Sequence, residues 1–412
     1  MCHKWLTVVV VLHLAGVLAI MSGCGGSSAG IGGTVATQAK SPNVNSTAFT
    51  KNDDGTSPVL IGYKHGQHGK SEADVVAKYG HSKQRFADLD IEAADLNADG
   101  IAALSNNPNV DYVEPDSIVK ISRATKPPAY PTYTDTVPAN VTQVKAPLCW
   151  SKYTGSAVKV AVLDTGIDTV NTDLAPLYKG GYNYVANNTT PKDDNGHGTE
   201  VAGTLCAAAN NTNLEGVAPS VALYAVKVLD STGAGTVSNI IAGLQWCVTN
   251  KMQVVNMSFG QASASVSLAT ACTAAEASCV LVAAAGNSGP SPTGNVQFPA
   301  ACTGVIAVGA VDANNLLATY SCTGPQIALV APGNNIVTDK MGGGTITISG
   351  TSLASPAVAG EAALVISSGV TAPATVVSKL KSTATHLGTT GVNNQYGNGL
   401  ANCGKACGIA GA

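Results

Sequence analysis

Three short segments of this sequence carry side chains that could do chemistry together. Asp164 heads Asp164-Thr165-Gly166-Ile167-Asp168. His197 lies within Asn195-Gly196-His197-Gly198-Thr199-Glu200-Val201-Ala202-Gly203, and Ser352 within Gly350-Thr351-Ser352-Leu353-Ala354-Ser355-Pro356. A serine hydroxyl is a weak nucleophile until a base takes its proton. A neutral histidine, with an ordinary pKa of about 6.5, can do so near neutral pH. A carboxylate holds the ring in the right tautomer and stabilises the imidazolium that forms. Together the three types describe acyl transfer through a covalent ester. Singly they read more simply, because an Asp after a strand or a Ser at a helix start is commonly a cap and a lone His is commonly structural. The flanking glycines and the chain order Asp, His, Ser set this group apart from that simpler reading.

These side chains need elements to position them. Asp164 follows the apolar run Val158 to Leu163. Similar runs recur at Ala222 to Val228, Val254 to Ser258, Val280 to Ala284 and Val305 to Val308, with helical spacing between several of them, as at Val237 to Val248 and Ala354 to Ile366. Buried strands alternating with helices predict a parallel sheet covered on both faces. In such sheets ligands bind beyond the carboxyl ends of the strands, which is where Asp164 falls. His197 and Ser352 each open a helix, where backbone N–H groups can stabilise an oxyanion. With 412 residues, 45% hydrophobic and 11% charged, the chain can bury a large core and a second, smaller one. A net charge of −3 with no basic stripe gives nucleic-acid binding no support.

The three segments resemble the signature regions of the subtilisin-like serine proteases, in their characteristic order. Ala284-Ala285-Gly286-Asn287 is similar to the stretch that carries the family's oxyanion-hole Asn. Asn256-Met257-Ser258-Phe259-Gly260 is similar to the strand that pairs with substrate backbone. The likeness runs from about Thr134 to Ala401. It implies a subtilisin-like parallel-sheet α/β sandwich, a monomer, acting on polypeptide substrates. By carry-over, Ser352 is the nucleophile, His197 the general base and then acid, Asp164 the orienting carboxylate, and Asn287 an oxyanion donor with the Ser352 N–H. Ser258, Phe259 and Gly260 would bind substrate backbone. Phe259, Ala284, Ala285 and Gly286 would wall the specificity pocket, with Ser288 and Gln297 near its floor. No fixed charge stands there, which favours apolar or varied side chains over Lys or Arg.

The resemblance also implies a structural calcium ion. Asp135, Asp173 and Asn210 would give side-chain oxygens, and Ala208, Thr212 and Leu214 carbonyls, a set suited to that hard cation. Gln326 and Ala328 stand where the carboxylates of a weaker family site often sit. Other departures are Glu200 and Ala357 in place of histidines, and Leu353 in place of an oxidisable Met. No catalytic group is lost, which argues against an inactive binding protein on this fold. An esterase of the α/β-hydrolase type would need G-x-S-x-G and the order Ser, Asp, His; this sequence has neither at Ser352.

The N-terminal third reads as a precursor. The apolar run Leu6 to Ile20 is short for a membrane helix and suits an export signal over residues 1–23. Small residues before Cys24, then Gly and Ser, resemble a bacterial lipoprotein cleavage site, with Cys24 as the lipid carrier. Residues 24–57 read as a flexible tether. Residues 58–122 predict a small ferredoxin-like α+β domain: a strand at Val59 to Tyr63, a helix at Glu72 to Tyr79, strand-like spacing at Phe86, Leu89 and Ile91, a helix at Asp99 to Leu104 and a strand at Val110 to Glu114, with room for one more strand. Gly62-Tyr63-Lys64 and Asn109 to Asp116 resemble the family's inhibitory propeptide. The stretch Ser117 to Tyr133, rich in Pro, reads as an exposed linker, with processing placed at residues 123–133 ahead of the catalytic domain 134–412. Export would place the chain where disulfides persist. Setting aside Cys2 and Cys24, nine of the 11 cysteines remain, so at least one is left without an intramolecular partner. Short loops favour Cys272–Cys279 and Cys302–Cys322 as pairs.

Overall fold

The computed structural model describes residues 49–121 and 136–412. Cys24, most of the tether, the processing stretch and Asp135 lie outside them. Within them, the smaller layer holds β1 (Ser57–Tyr63), α1 (Lys70–Tyr79), β2 (Gly80–Phe86), β3 (Ile91–Leu96), α2 (Ala98–Ser105) and β4 (Val110–Pro115). The four strands form one sheet in the order β2-β3-β1-β4. Both helices pack on one face through Val76, Ile101 and Leu104, which meet Val59, Ile61 and Leu96. The single strand expected around Phe86 to Ile91 is in fact the end of β2, a short 3₁₀ turn at Ala87–Leu89 and the start of β3. β2 escaped the sequence reading because its residues Gly80 to Arg85 are polar or small and largely exposed at the sheet edge.

The larger layer begins with β5 (Ile118–Lys120), α3 (Ala139–Gln143), β6 (Lys159–Asp164), β7 (Tyr178–Asn183), α4 (His197–Cys206), β8 (Ala222–Lys227), β9 (Ala234–Thr236) and α5 (Val237–Thr249). It continues with β10 (Val254–Met257), α6 (Val266–Glu276), β11 (Val280–Ala284), β12 (Val305–Val311), β13 (Ile327–Pro332), β14 (Ile336–Asp339), β15 (Thr345–Ile348), α7 (Thr351–Ser367), α8 (Pro373–Thr383) and α9 (Cys403–Ala406). Seven strands form a parallel sheet in the order β13-β12-β11-β10-β6-β8-β7. Successive side chains of a strand point to opposite faces. Val160 and Val162 of β6 accordingly enter one core with α4 and α7, and Ala161 and Leu163 enter another with α5 and α6. Both faces are covered, as the continuous apolar runs require. The edge strand β7 was hidden by Gly180 and Gly181. A Cβ on Gly181 would stand 1.7 Å from the Ala225 carbonyl oxygen, so the close approach to β8 requires glycine.

Two further expectations are corrected. Ser117 onward is not wholly exposed linker, because β5 pairs antiparallel with β9 and buries Val119 completely. Neither short-loop cysteine pair is made. Cys272 of α6 meets Cys302, and Cys149 meets Cys407 of the C-terminal turn. Cys279 instead donates to the Met252 carbonyl, and Cys322 accepts from the Ser288 N–H. Strand and helix ends, not sequence spacing, decide which sulfurs meet.

Helix α7 runs through the interior and carries Glu361, which is fully buried. One of its oxygens accepts the Asn402 N–H at 3.0 Å and the other has no hydrogen-bond partner. Burial above all pushes its carboxyl up to about 8, against the pull of the Asn402 bond. The folded protein then keeps a proton that the unfolded chain has released, so stability falls as pH rises from the ordinary carboxylate range through about 8. Glu361→Gln should therefore melt higher than wild type at pH 8, by about 2–5 kcal/mol in unfolding free energy, and the two should converge near pH 4. Denaturant melts across that range check it; parallel curves would refute the raised carboxyl.

Candidate active site

Asp164 is the last residue of β6, and Ser258 follows β10. The parallel register sets Leu163 beside Met257, so the two strand ends are neighbours. His197 opens α4, whose start is pressed onto the end of β6. A Cβ on Gly198 would come within 2.0 Å of the Gly166 carbonyl oxygen. This close packing brings His197 Nδ1 to 2.8 and 3.0 Å from the two Asp164 oxygens, with both side chains fully buried. The Thr165 N–H also donates to Asp164 Oδ1, at 2.7 Å. With Nδ1 bound to the carboxylate, Nε2 is the ring atom on the opposite side.

Ser352 is the second residue of α7, and α7 packs against α4. Its Oγ is buried and has no hydrogen-bond partner. Its carbonyl accepts the Ser258 hydroxyl at 2.9 Å. Asn256 steadies that hydroxyl through its amide and accepts Ser355 Oγ at 2.7 Å. The strand that ends at Met257 and the helix that carries Ser352 are thus bolted together. Asn287, just beyond β11, accepts the Thr351 N–H at 2.9 Å and the Thr351 hydroxyl at 2.8 Å through its side-chain oxygen. An N–H can bond only an acceptor, so the amide oxygen faces Thr351 and the NH₂ end points away from it.

This arrangement places a buried carboxylate–imidazole pair, a nucleophile-type hydroxyl at a helix start and an oriented amide at the carboxyl ends of three parallel strands. A model of the subtilase family matches residues 155–399. The chain belongs to the subtilase family. It is 42% identical to subtilisin E of Bacillus subtilis strain 168 over 352 residues, 83% of this chain and 88% of that protein. It is 47% identical to a subtilisin of Bacillus pumilus over 271 residues, 65% of this chain and 97% of that protein. It is 41% identical to alkaline elastase YaB of Bacillus sp. strain YaB over 319 residues, 77% and 79% of the two chains. This subtilase is a serine endopeptidase.

Several residues that brace the site of the subtilase were not singled out from sequence. Asp193 accepts from the N–H groups of Asn195, Gly196 and Thr199 and from the hydroxyls of Thr165 and Thr199. Burial pushes its carboxyl up, but the bonds from Thr199, Gly196 and Asn195 outweigh this and hold it below the ordinary value. The buried Lys227 Nζ donates to the carbonyls of Thr165 and Leu229 and to Asp194, clamping the loop after Asp164. The run Asp193-Asp194-Asn195-Gly196 was a readable turn signal for the first of these.

The tail of the small domain lies along the proposed substrate strand of the subtilase. The Lys120 N–H donates to the Gly260 carbonyl at 3.1 Å, the Gly260 N–H returns the bond at 3.0 Å, and the Ile121 N–H donates to the Gly233 carbonyl. Two carboxylates anchor the domain. Glu114 accepts the N–H groups of Val266 and Ser267 at the start of α6, and Asp116 accepts the Ser238 N–H at the start of α5. Helix starts favour negative charge, which suits both.

Around Asp173, the Asp173 and Asn210 side-chain oxygens converge on the Thr212 hydroxyl. The Ala208 N–H bonds the Asp173 carbonyl and the Leu214 N–H the Asp173 carboxylate, so the loop wraps this point. The Asp173, Asn210 and Thr212 side-chain oxygens are of the type calcium takes, whereas Ala208 and Leu214 turn N–H groups toward Asp173. Sequence missed Asp339, fully buried beside Asp173, whose carboxyl burial and then the Asp173 charge push up to about 9. Among the described residues no group of three or more His, Cys, Asp or Glu is placed to hold a metal. Among the described residues, a calcium ion would therefore draw on Asp173 with amide and carbonyl oxygens around it.

Proposed function

We propose that this subtilase cleaves proteins through Ser352, His197 and Asp164, with Asn287 and the Ser352 N–H as oxyanion donors. The observation that supports the reading is the buried Asp164–His197 pair at the start of α4, the helix that packs against α7, where the Ser352 hydroxyl is buried without a partner. His197 Nε2 takes the Ser352 proton as Oγ attacks the scissile carbonyl. Asp164 steadies the imidazolium, and the tetrahedral oxyanion gathers the two donors. The imidazolium then protonates the leaving amine, and water attacks the acyl-enzyme by the same route. Substrate backbone adds as a strand along Ser258-Phe259-Gly260, giving affinity from main-chain bonds. The pocket walled by Phe259, Ala284, Ala285 and Gly286 carries no charge and takes uncharged side chains. A fluorophosphonate probe should label wild type at Ser352, and a mature enzyme left unlabelled would refute the nucleophile.

The precursor is exported, with Cys24 as a lipid anchor, and residues 58–122 hold the enzyme inactive until it cuts its own chain within 122–133. The strand contacts of Lys120 and Ile121 support this, because they fill the groove that substrate needs. Outside the cell, the touching thiols Cys149–Cys407 and Cys272–Cys302 form disulfides, each passing two electrons and two protons to an external disulfide. Non-reducing peptide mapping should find both bridges; alkylation of all nine cysteines in the native secreted enzyme would refute them.

Asp173, Asn210 and the carbonyls of Ala208, Thr212 and Leu214, with Asp135, would hold calcium. When bound, the ion would supply positive charge to hold the oxygens of this loop together. At one hundred times its dissociation constant it adds about 2.7 kcal/mol of stability. Melts of the mature enzyme in chelator and in excess calcium should differ accordingly, and identical melts would exclude the site.

A further inference from the structure

We propose that Asp339 is a further ligand of the calcium ion, and that the ion thereby ties the loop around Asp173 to the β14–β15 hairpin that leads into the Ser352 helix. This deepens the calcium reading above and rests on it.

Asp339 and Asp173 are both fully buried and lie together. Asp173 has donors for both oxygens. The Thr212 hydroxyl bonds Oδ1, and the Leu214 N–H bonds Oδ2 at 3.4 Å. The single hydrogen of that hydroxyl faces two acceptors, because Asn210 Oδ1 also meets it. Neither oxygen of Asp339 has a hydrogen-bond partner. Among the described residues, no Lys, Arg or His forms an ion pair with either carboxylate. A buried carboxylate without a donor or a counter-charge is costly, and two side by side repel.

The fold holds Asp339 in this place. Thr338, beside it in β14, donates its hydroxyl to the Glu200 carbonyl at 2.6 Å and accepts the Thr204 hydroxyl at 3.1 Å. β14 therefore lies hard against α4, and a Cβ on Gly203 would stand 2.8 Å from the Asp339 Cβ. Asp173 is fixed in turn. Its N–H bonds Asn171 Oδ1 at 2.9 Å, and its carbonyl takes the Ala208 N–H at 3.1 Å.

A proton or a cation would relieve the pair. A proton shared between the carboxylates serves one oxygen of each and leaves the second Asp339 oxygen bare. Calcium takes about six to eight oxygens, carboxylates and amide oxygens among them, and needs no hydrogens. Asp339, Asp173 and Asn210 Oδ1 offer oxygens of that kind where hydrogens are short, so the donor set favours the cation. The consequence lies in β14. It pairs with β15 from Asp339–Thr345 to Ile336–Ile348, and the chain then enters α7 at Thr351. An ion held by Asp339 restrains this hairpin as well as the Asp173 loop.

The test uses the full chain carrying Ser352→Ala, so that self-digestion does not distort the melts, stripped with chelator and titrated with calcium chloride. This parent should bind calcium by calorimetry. Asp339→Asn, with Asp339→Ser as a second variant, should bind it at least tenfold more weakly, since even the outer partners of metal ligands are worth about 10–100-fold. In chelator Asp339→Asn should melt at or above the parent, because the repulsion is gone, and in excess calcium it should melt below. Calcium should slow amide hydrogen exchange in β14 and β15 of the parent and not of Asp339→Asn. Variants that bind as tightly as the parent would overturn the role of Asp339 and leave the pair to a shared proton. Hairpin exchange indifferent to calcium would overturn the tie. A parent that binds no calcium would sink the calcium reading itself, an outcome distinct from either.

Discussion

Ser352→Ala should fold and melt like wild type yet hydrolyse casein about 10⁶-fold more slowly. The magnitude comes from subtilisins themselves, where loss of the nucleophile costs about that much in kcat, roughly 8 kcal/mol of barrier. The unchanged stability follows from this structure, in which the Ser352 hydroxyl bonds nothing and its position in α7 tolerates Ala without loss of a backbone contact. Substrate binding should also survive, because the backbone bonds of Ser258 to Gly260 remain. The same variant reads maturation. If the enzyme cuts itself, Ser352→Ala accumulates as an uncut precursor, bound to membranes when Cys24 carries lipid, while wild type releases a soluble catalytic domain. Wild-type caseinolysis by the purified variant would falsify the catalytic assignment. A precursor processed normally in the variant would show that another protease matures it.

Asn287→Ala should lower kcat by about 10²–10³ with KM within about threefold, because an oxyanion donor acts only when charge develops on the substrate oxygen. The size is again the one measured in subtilisin for the corresponding Asn. Here the substitution removes a second thing. The Asn287 oxygen holds the N–H and hydroxyl of Thr351 at the start of α7, so Ala also leaves an uncapped helix end at a cost of about 1 kcal/mol. Asn287→Asp separates the two effects. It keeps the acceptor toward Thr351 and replaces the donor end with a charge that repels the oxyanion. It should melt near wild type and turn over at least as slowly as the Ala variant. Stopped assays at saturating substrate, paired with melts, distinguish these outcomes. An Asp variant with normal kcat would remove Asn287 from the oxyanion site.

Much of this was legible before any coordinates. Nearly continuous apolar runs over Val158–Leu163 and Val280–Ala284 mark strands buried on both faces, and such strands pair in parallel under helices. The segments around Asp164, His197 and Ser352 carried the family, which the comparison with known subtilases shows. Strand β2 and strand β7 were not legible. The first is polar along most of its length and the second is interrupted by glycines, so neither has the alternation that sequence reading depends on. The tail strand β5, of which only Val119 is buried, gives no strand signal because three residues set no period and its partner, β9, lies more than a hundred positions away.

By itself the sequence determined the chemistry available to this protein: which side chains it carries, the glycines that let backbones approach and the order in which the strands and helices follow one another. Only the tertiary structure decided which of these meet. Cys272 meets Cys302 and not Cys279, because packing of α6 turns this mid-helix sulfur toward the segment before β12 and not toward the helix's own end. Gln297 lies against Gly260 and Gly286, residues 37 and 11 positions away, because its own backbone bond to Ala285 and the bonds of the adjacent Phe298 to Gln261 carry it across the two strand ends. Contacts of this kind are set by the packing of whole elements. A local pattern records the shape of one element, and the distance between two such elements exists only once the sheet has formed.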